Sequence, residues 1–403
     1  MMNFIRDNIL KILLVFVLVI VVIIVVVVAC LPKGPVITKT DKAYSDMENR
    51  LQGAAIKLVD SNKKLLPKTT DQVRRIQLST LINSGLIKEL YAIENSSVAC
   101  NGYVEVTKKE ENENNYRYTP YVKCGKYYET KTIAEYITSN ETVVTSGEGL
   151  YRVEVKPAAT PTNENEKKEE DKVEEKLYSY YFKGEYPNNY IMLGERLYRI
   201  MEITEDNNLK LISTNKTRST YCWDDRFNSE DNKYSGINDF SKSRLKEYLY
   251  YAYSNMDDEG EIFFSNLERE YIVSHDFCVG KRSAKDLNIN SGAECELKEK
   301  LKIGLITVQD YYKVSTASNC DSVGKQECNN YNYLYTISEN SNIRYMTLTG
   351  NKDNTFTFFQ IDDGDYKSVK CYSRRNFYPV IYIDKNILYQ KGNGTKDNPY
   401  IVR

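Results

Sequence analysis

One histidine, His275, limits what this 403-residue chain can do chemically. A Ser-His-Asp or Cys-His device would have to run through His275, in YIVSHDFCVG, where an imidazole beside an apolar triplet reads as structural. A histidine-rich metal centre is excluded, because such sites need several imidazoles. Asp362, Asp363 and Asp365, in QIDDGDYK, could offer oxygens to calcium, which takes about 6–8 of them. They lack the spaced ligands and bidentate glutamate of an EF-hand loop and read as a solvated turn. The acidic run from Met256 to Glu261 reads the same way. No nucleophile elbow, P-loop or dinucleotide fingerprint is present, and Gly392-Asn393-Gly394 has no following helix to hold a phosphate. With 56 acidic residues, carboxylate pairs suited to glycoside hydrolysis arise by accident. No catalytic, metal or cofactor-binding residue is therefore assigned, and the chain reads as non-enzymatic.

Cysteine carries the clearest chemical signal. One of the nine, Cys30, lies in an apolar segment; Cys100, Cys124, Cys222, Cys278, Cys295, Cys320, Cys328 and Cys371 remain. An even, scattered set without a C-x-x-C pair reads as disulfides rather than zinc. Disulfides persist in oxidising compartments, which points outside the cytoplasm. Cys100 precedes one strand-like run and Cys124 ends the next, so a disulfide could close that hairpin. Proximity along the chain favours Cys278–Cys295 and Cys320–Cys328, which leaves Cys222 with Cys371.

Those cysteines need elements to hold them. Residues 12–31 form an uncharged apolar run, enough at about 1.5 Å per residue to cross a bilayer as a helix. Only residues 1–11, with Arg6 and Lys11, precede it, which favours the N-terminus inside and the bulk of the chain outside a cell membrane. Val27-Val28-Ala29-Cys30 also resembles a lipobox, making lipidation of Cys30 the competing reading. Charge is balanced, 55 basic against 56 acidic residues, so no global field draws nucleic acid. Thirty-five tyrosines against one tryptophan supply rings with polar tips, suited to half-exposed β-surface and contact faces.

Beyond the apolar run, Ala43, Met47, Leu51, Ala54, Ala55, Leu58 and Val59 recur at helical spacing, and a second helix is expected from Leu78 to Leu90. Strand-like runs follow at Tyr103–Val106 and Tyr116–Cys124. An anchor continuing into an amphipathic stalk and a small sheet resembles a type IV pilin or pseudopilin. It is closest to pilin-like surface proteins of low-GC Gram-positive bacteria, whose motifs reappear as Gly85–Glu89, Cys100–Val106 and Tyr118–Cys124. The prepilin Gly-Phe before the apolar run and the Glu at the fifth mature position are missing, so a monomeric spacer over 36–150 is expected, not a fibre subunit.

Residues 151–176 read as a charged linker, with seven acids and four bases between Glu164 and Lys176. Residues 177–403 carry short strands, including a hairpin through Tyr198–Ile203 and Leu209–Ile212, a helix from Phe240 to Tyr253, and a final strand after Pro379. This part resembles an uncharacterised domain of secreted and surface proteins of the same bacteria. The matching positions are Phe182–Gly184, Asn189–Ile191, Tyr198–Ile200, Lys210–Ile212, Pro379–Ile383 and Gly392–Tyr400. The resemblance implies a C-type-lectin-like superfold. The expected class is therefore α+β: a transmembrane and stalk helix with a small pilin-like sheet domain, then a larger disulfide-rich domain.

The expected function is surface-anchored extracellular binding or adhesion, with membrane contact through residues 12–31 and a surface glycan or protein as ligand. Tyr311-Tyr312, Asn329–Tyr335 and Tyr372 are the expected contact face. A structural, pilus-like envelope role, with the stalk packing laterally through Met47 and Leu51, is the alternative, and an enzyme acting on envelope polymers is the second.

Overall fold

The computed structural model describes residues 35–111, 114–155, 176–229, 233–254, 264–337 and 344–403. The apolar run with Cys30, residues 156–175 of the linker, and the acidic run near Met256 lie outside the described residues.

The first long helix, α1 (Lys39–Ser61), opens with a capping box. Thr38 Oγ1 accepts from the Asp41 amide at 3.1 Å, and Asp41 Oδ2 accepts from the Thr38 amide at 2.8 Å. Its apolar residues follow one stripe, and Tyr44, Met47, Leu51, Ala54, Ala55 and Val59 are all buried. They lie on an antiparallel sheet in the order β1 (Val73–Gln77), β2 (Asn101–Lys108), β3 (Tyr116–Cys124) and β4 (Tyr128–Glu129). Period-two alternation puts Val104 and Val106 against the helix, and each such fully buried aliphatic contributes about 1.5–3 kcal/mol. The second helix, α2, spans only Leu78–Asn83. Gly85, at φ +68°, stops it in a Schellman turn, with Leu86 N–H donating to Leu81 O and Gly85 N–H to Ile82 O.

A second core begins earlier than residue 177. Helix α3 (Ile133–Asn140) buries Ile133, Ala134 and Ile137 in it, and β5 (Gly149–Val155) pairs along its whole length with β6 (Leu177–Lys183). The spacer and the C-terminal domain expected on either side of the linker thus share this core. Strand β6 joins β8 (Arg196–Ile203), which lies between β7 (Tyr190–Leu193) and β9 (Leu209–Ser213) in a ten-stranded mixed sheet. Val380–Ile383 pairs with β9, and Tyr400–Val402 runs parallel to β7. A four-stranded sheet built on Arg344–Asn351 and Thr357–Asp362 completes the body, with α4 (Arg244–Ser254), α5 (Asn266–Tyr271) and α6 (Val308–Lys313).

The expected fold class is corrected. Strand makes up 34% of the described residues against 22% helix, and no helix among them is long and apolar enough to cross a membrane. The stalk reading fails for a local reason: the Thr38 capping box starts α1 afresh. Its apolar stripe is consumed by the sheet beneath it, so Met47 and Leu51 are not available for lateral packing. The described residues form a helix on a four-stranded sheet, joined to a larger body that holds a ten-stranded, a four-stranded and a two-stranded sheet.

The second core holds charge as well as apolar area. Arg282 and Glu294, both fully buried, form a bidentate pair at 2.9 Å for each bond. Arg199, 1% exposed, donates Nε to Asn189 Oδ1 at 2.7 Å and Nη1 to the Tyr190 hydroxyl at 3.0 Å. Asn189 Nδ2 donates back to Ile200 O at 2.8 Å. The Asn-Tyr and Arg-Ile motifs of the sequence thus meet as one clasp around a buried guanidinium.

A cleft between the two cores

Strand β3 has β2 on one side, while β4 covers only Lys123 and Cys124 on the other. From Tyr116 to Val122 that second edge has no strand partner among the described residues. Pro120 lies within this stretch, where its missing N–H costs least. Gln52 Nε2, from α1, donates to Tyr118 O at 2.6 Å and covers part of the edge.

The exposed edge forms one wall of a cleft of about 440 Å³, whose floor and far wall come from the second body. Ser45, Asn49, Gln52 and Ile56 contribute from one stripe of α1, and Tyr116 to Pro120 from β3. Glu270 and Tyr271, Asn386, Leu388 and Arg403 face them. Asn386 also lines an adjoining hollow of about 470 Å³ against the outer face of the first sheet, beside Val73, Arg75, Glu105 and Thr107. The lining is mixed: aromatic rings, carboxamides and fixed charges.

Ionic contacts hold the walls in place. Arg117 Nη2 donates to Glu270 O at 2.7 Å, its guanidinium lies 5.0 Å from the Tyr271 ring centre, and its Nε stands 3.4 Å from Asp384 Oδ2 without a hydrogen bond. Lys109 meets Glu270 at 2.6 Å, and Lys391 meets Asp41 at 2.8 Å. Arg403 pairs with Glu48, a fully buried carboxylate on α1 that also accepts from the Tyr128 hydroxyl at 2.9 Å and from Thr130. Burial pushes Arg403 down to about 10, still charged at neutral pH. The hydrogen bond from Lys109 holds the Glu270 carboxyl below its ordinary range. Burial pushes Tyr271 up, although Arg117 opposes it.

Three expected disulfides are present: Cys100–Cys124, Cys278–Cys295 and Cys320–Cys328. Cys222 and Cys371 are the correction. Both are buried free thiols, and burial pushes the Cys222 thiol up and the Cys371 thiol far up. They come near each other, with Asp224 N–H donating to Cys371 O at 3.1 Å, but are not bonded to each other.

The expected tyrosine face is also revised. Tyr311, Tyr312 and Tyr333 are buried, and only Tyr331 and Tyr372 project, at 59% and 44% exposure. Tyr311 and Tyr312 sit on α6, where their hydroxyls reach Asn329 Oδ1 and Gly364 O, each at 2.9 Å. His275 stacks on Tyr382, with ring centres 3.9 Å apart, and Asp206 Oδ1 stands 4.0 Å from its Nε2. Asp362 is paired with Arg344 at 2.7 Å and Lys367 at 3.2 Å, and Asp363 and Gly364 form the left-handed turn of a hairpin. Lys367 also meets Asp365 at 3.3 Å, so Asp362 and Asp365 are neutralised by cations of their own chain. Met256–Glu261 and Cys30 lie outside the described residues.

The cleft residues drew no functional reading from sequence. The only signal was the Tyr-x-Tyr alternation at Tyr116 and Tyr118 on a half-exposed strand; Asn49, Gln52, Asn386 and Arg403 carry none. No protein-family model matches the chain, and neither a curated protein nor a solved structure matches it.

Proposed function

We propose that this chain is a non-enzymatic binding protein of the cell exterior, held at a membrane surface through residues 12–31 with its bulk outside. It takes a hydroxyl-rich ligand, a surface glycan, in the cleft between its cores. The observation that carries this reading is the make-up of the cleft. The Asn49, Gln52 and Asn386 carboxamides can each donate and accept, the ring faces of Tyr116, Tyr118 and Tyr271 suit the C–H face of a sugar, and Arg117 Nε is buried and unsatisfied.

Two further points support it. Three disulfides suit an oxidising compartment. Glycoside chemistry needs a carboxyl kept protonated near neutral pH, whereas Glu270 is held low by Lys109 and Glu48 is paired with Arg403. Glu202, the carboxyl that burial raises, does not line the cleft. Kinship with surface proteins of low-GC Gram-positive bacteria belongs to the same proposal, carried by the Asn189, Tyr190 and Arg199 clasp.

The test is saturable binding of the full-length oxidised chain to a glycan array, intact producer cells and host mucus, with Asn49→Arg beside it. Asn49 is exposed, so the arginine fills the cleft without touching the core. Binding by the native chain that Asn49→Arg abolishes supports the reading. Binding to none of these surfaces, or binding indifferent to Asn49→Arg, would contradict the reading and leave an envelope-structural role that does not use Met47 and Leu51.

A further inference from the structure

A second concavity, of about 250 Å³, lies on the larger body between the end of β6 and α6. Lys183 and Lys313 both line it, with Tyr181, Asn290, Ser315 and Asp321. The strand's alternation turns Tyr181 and Lys183 to one side, and Lys313 closes the last turn of α6. Lys313 Nζ lies 4.6 Å from the Tyr181 ring centre, and Lys183 Nζ lies 5.2 Å from that of Tyr151. The Cys320–Cys328 disulfide fixes the loop that forms the remaining wall.

The charges in this groove do not balance. Neither lysine has a carboxylate within ion-pairing distance among the described residues. Asp321, on the rim, is engaged by Lys325 at 2.8 Å. Asp310 and Glu202 are the other acids near Lys313. Lys210 takes Asp310 at 2.9 Å and stands opposite Glu202 in the β8–β9 register. Two half-buried ammonium groups that line one groove without a carboxylate partner disfavour each other, and a bound anion relieves the repulsion.

We infer that this groove binds a tetrahedral oxyanion, a phosphate group, between the ammonium groups of Lys183 and Lys313. Each ammonium supplies charge-assisted donors, and the ring of Tyr181 gives the ligand an apolar wall. The site is separate from the cleft and does not depend on the ligand proposed there. In support, burial and the neighbouring Lys313 hold the Lys183 ammonium below the ordinary lysine range. A larger share of Lys183 is thus neutral and reactive towards acylating reagents, and a bound anion reverses this.

Competitive acylation of the full-length native chain, read lysine by lysine by mass spectrometry, tests the site. Labelling is compared in inorganic phosphate, in poly(glycerol phosphate), and in sodium chloride of equal ionic strength. The expected result is saturable loss of labelling at Lys183 and Lys313 in phosphate, with exposed Lys285 unchanged. A polymeric source shows as loss at a lower phosphate-group concentration with poly(glycerol phosphate); equal potency marks free phosphate as sufficient. Lys313→Met should remove phosphate protection from Lys183. The inference is overturned if labelling of both lysines in phosphate follows the sodium chloride control, or if Lys183 stays protected by phosphate in Lys313→Met.

Discussion

The two cores solve the problem of burial differently. The smaller one, residues 39–130, lays a single amphipathic helix on four strands and closes its central hairpin with Cys100–Cys124. Its one fully buried carboxylate, Glu48, meets no cation of its own core and takes Arg403, 355 residues away. The larger core pairs buried charges from within, as in Arg282–Glu294 and Lys210–Asp310, and holds Arg199 by neutral partners of its own. The contrast teaches that the small core is completed by the large one. The cleft between them is then a built feature, and not a gap between two beads on a string.

Cutting the chain breaks the comparison most severely. A fragment of residues 177–403 discards β5 and removes Ile133, Ala134, Ile137 and Leu150 from the larger core. Its near-ultraviolet circular dichroism should collapse, whereas a fragment starting at residue 131 should keep a native-like spectrum. Next comes Arg403→Ala, which leaves Glu48 buried and unpaired. A loss of about 3–5 kcal/mol in equilibrium denaturation is expected, partly recovered by adding Glu48→Gln.

The disulfides sharpen the contrast at smaller cost. Replacing Cys100 and Cys124 by serine opens a separation of 24 residues, worth roughly 3 kcal/mol in the chain-entropy model. The 8-residue separation of Cys320 and Cys328 should cost less. Urea midpoints of the two double variants decide the order, and the larger loss should fall on the smaller core.

Acid should produce the smallest effect, confined to the boundary. Lys109 lowers the Glu270 carboxyl, and at Asp41 burial is outweighed only by the Lys391 and Thr38 contacts together, which leave that carboxyl lowered. A depressed carboxylate stabilises fully above its unfolded value and loses that contribution as the pH falls through its folded value. The boundary contacts should hold at neutral pH and weaken below the ordinary carboxyl values of 4.5 and 3.8. Cross-linking of Lys391 to Asp41 by a zero-length carbodiimide, followed as folded protein is equilibrated at falling pH before quenching, should decline in that window.

How much of this was legible in the sequence follows distance along the chain. The hairpin of β2 and β3 and its disulfide could be read because its parts are adjacent, and Gly85 inside the expected second helix marked where α2 stops. The start of α1 was also written locally, in Thr38 and Asp41, yet the apolar run before it invited reading one continuous rod. The burial of Tyr311 and Tyr312 was not legible, because a helix of six residues does not reveal which neighbours will cover it. The cleft was least legible of all. Its walls come from residues 45–56, 116–120, 270–271 and 386–403, and only the folded sheet edge brings them together. Cys222 and Cys371 failed as a pair because pairing by elimination assumes that every thiol is used.

The most direct measurement of the mutual dependence of the two cores is scanning calorimetry of the full-length oxidised chain at neutral pH, beside Arg403→Ala. The account predicts one cooperative transition for the native chain, resolved into two by the substitution, with the smaller core melting first. Two independent transitions in the native chain, unmoved by Arg403→Ala, would contradict it and reduce the cleft to a chance gap between separate modules.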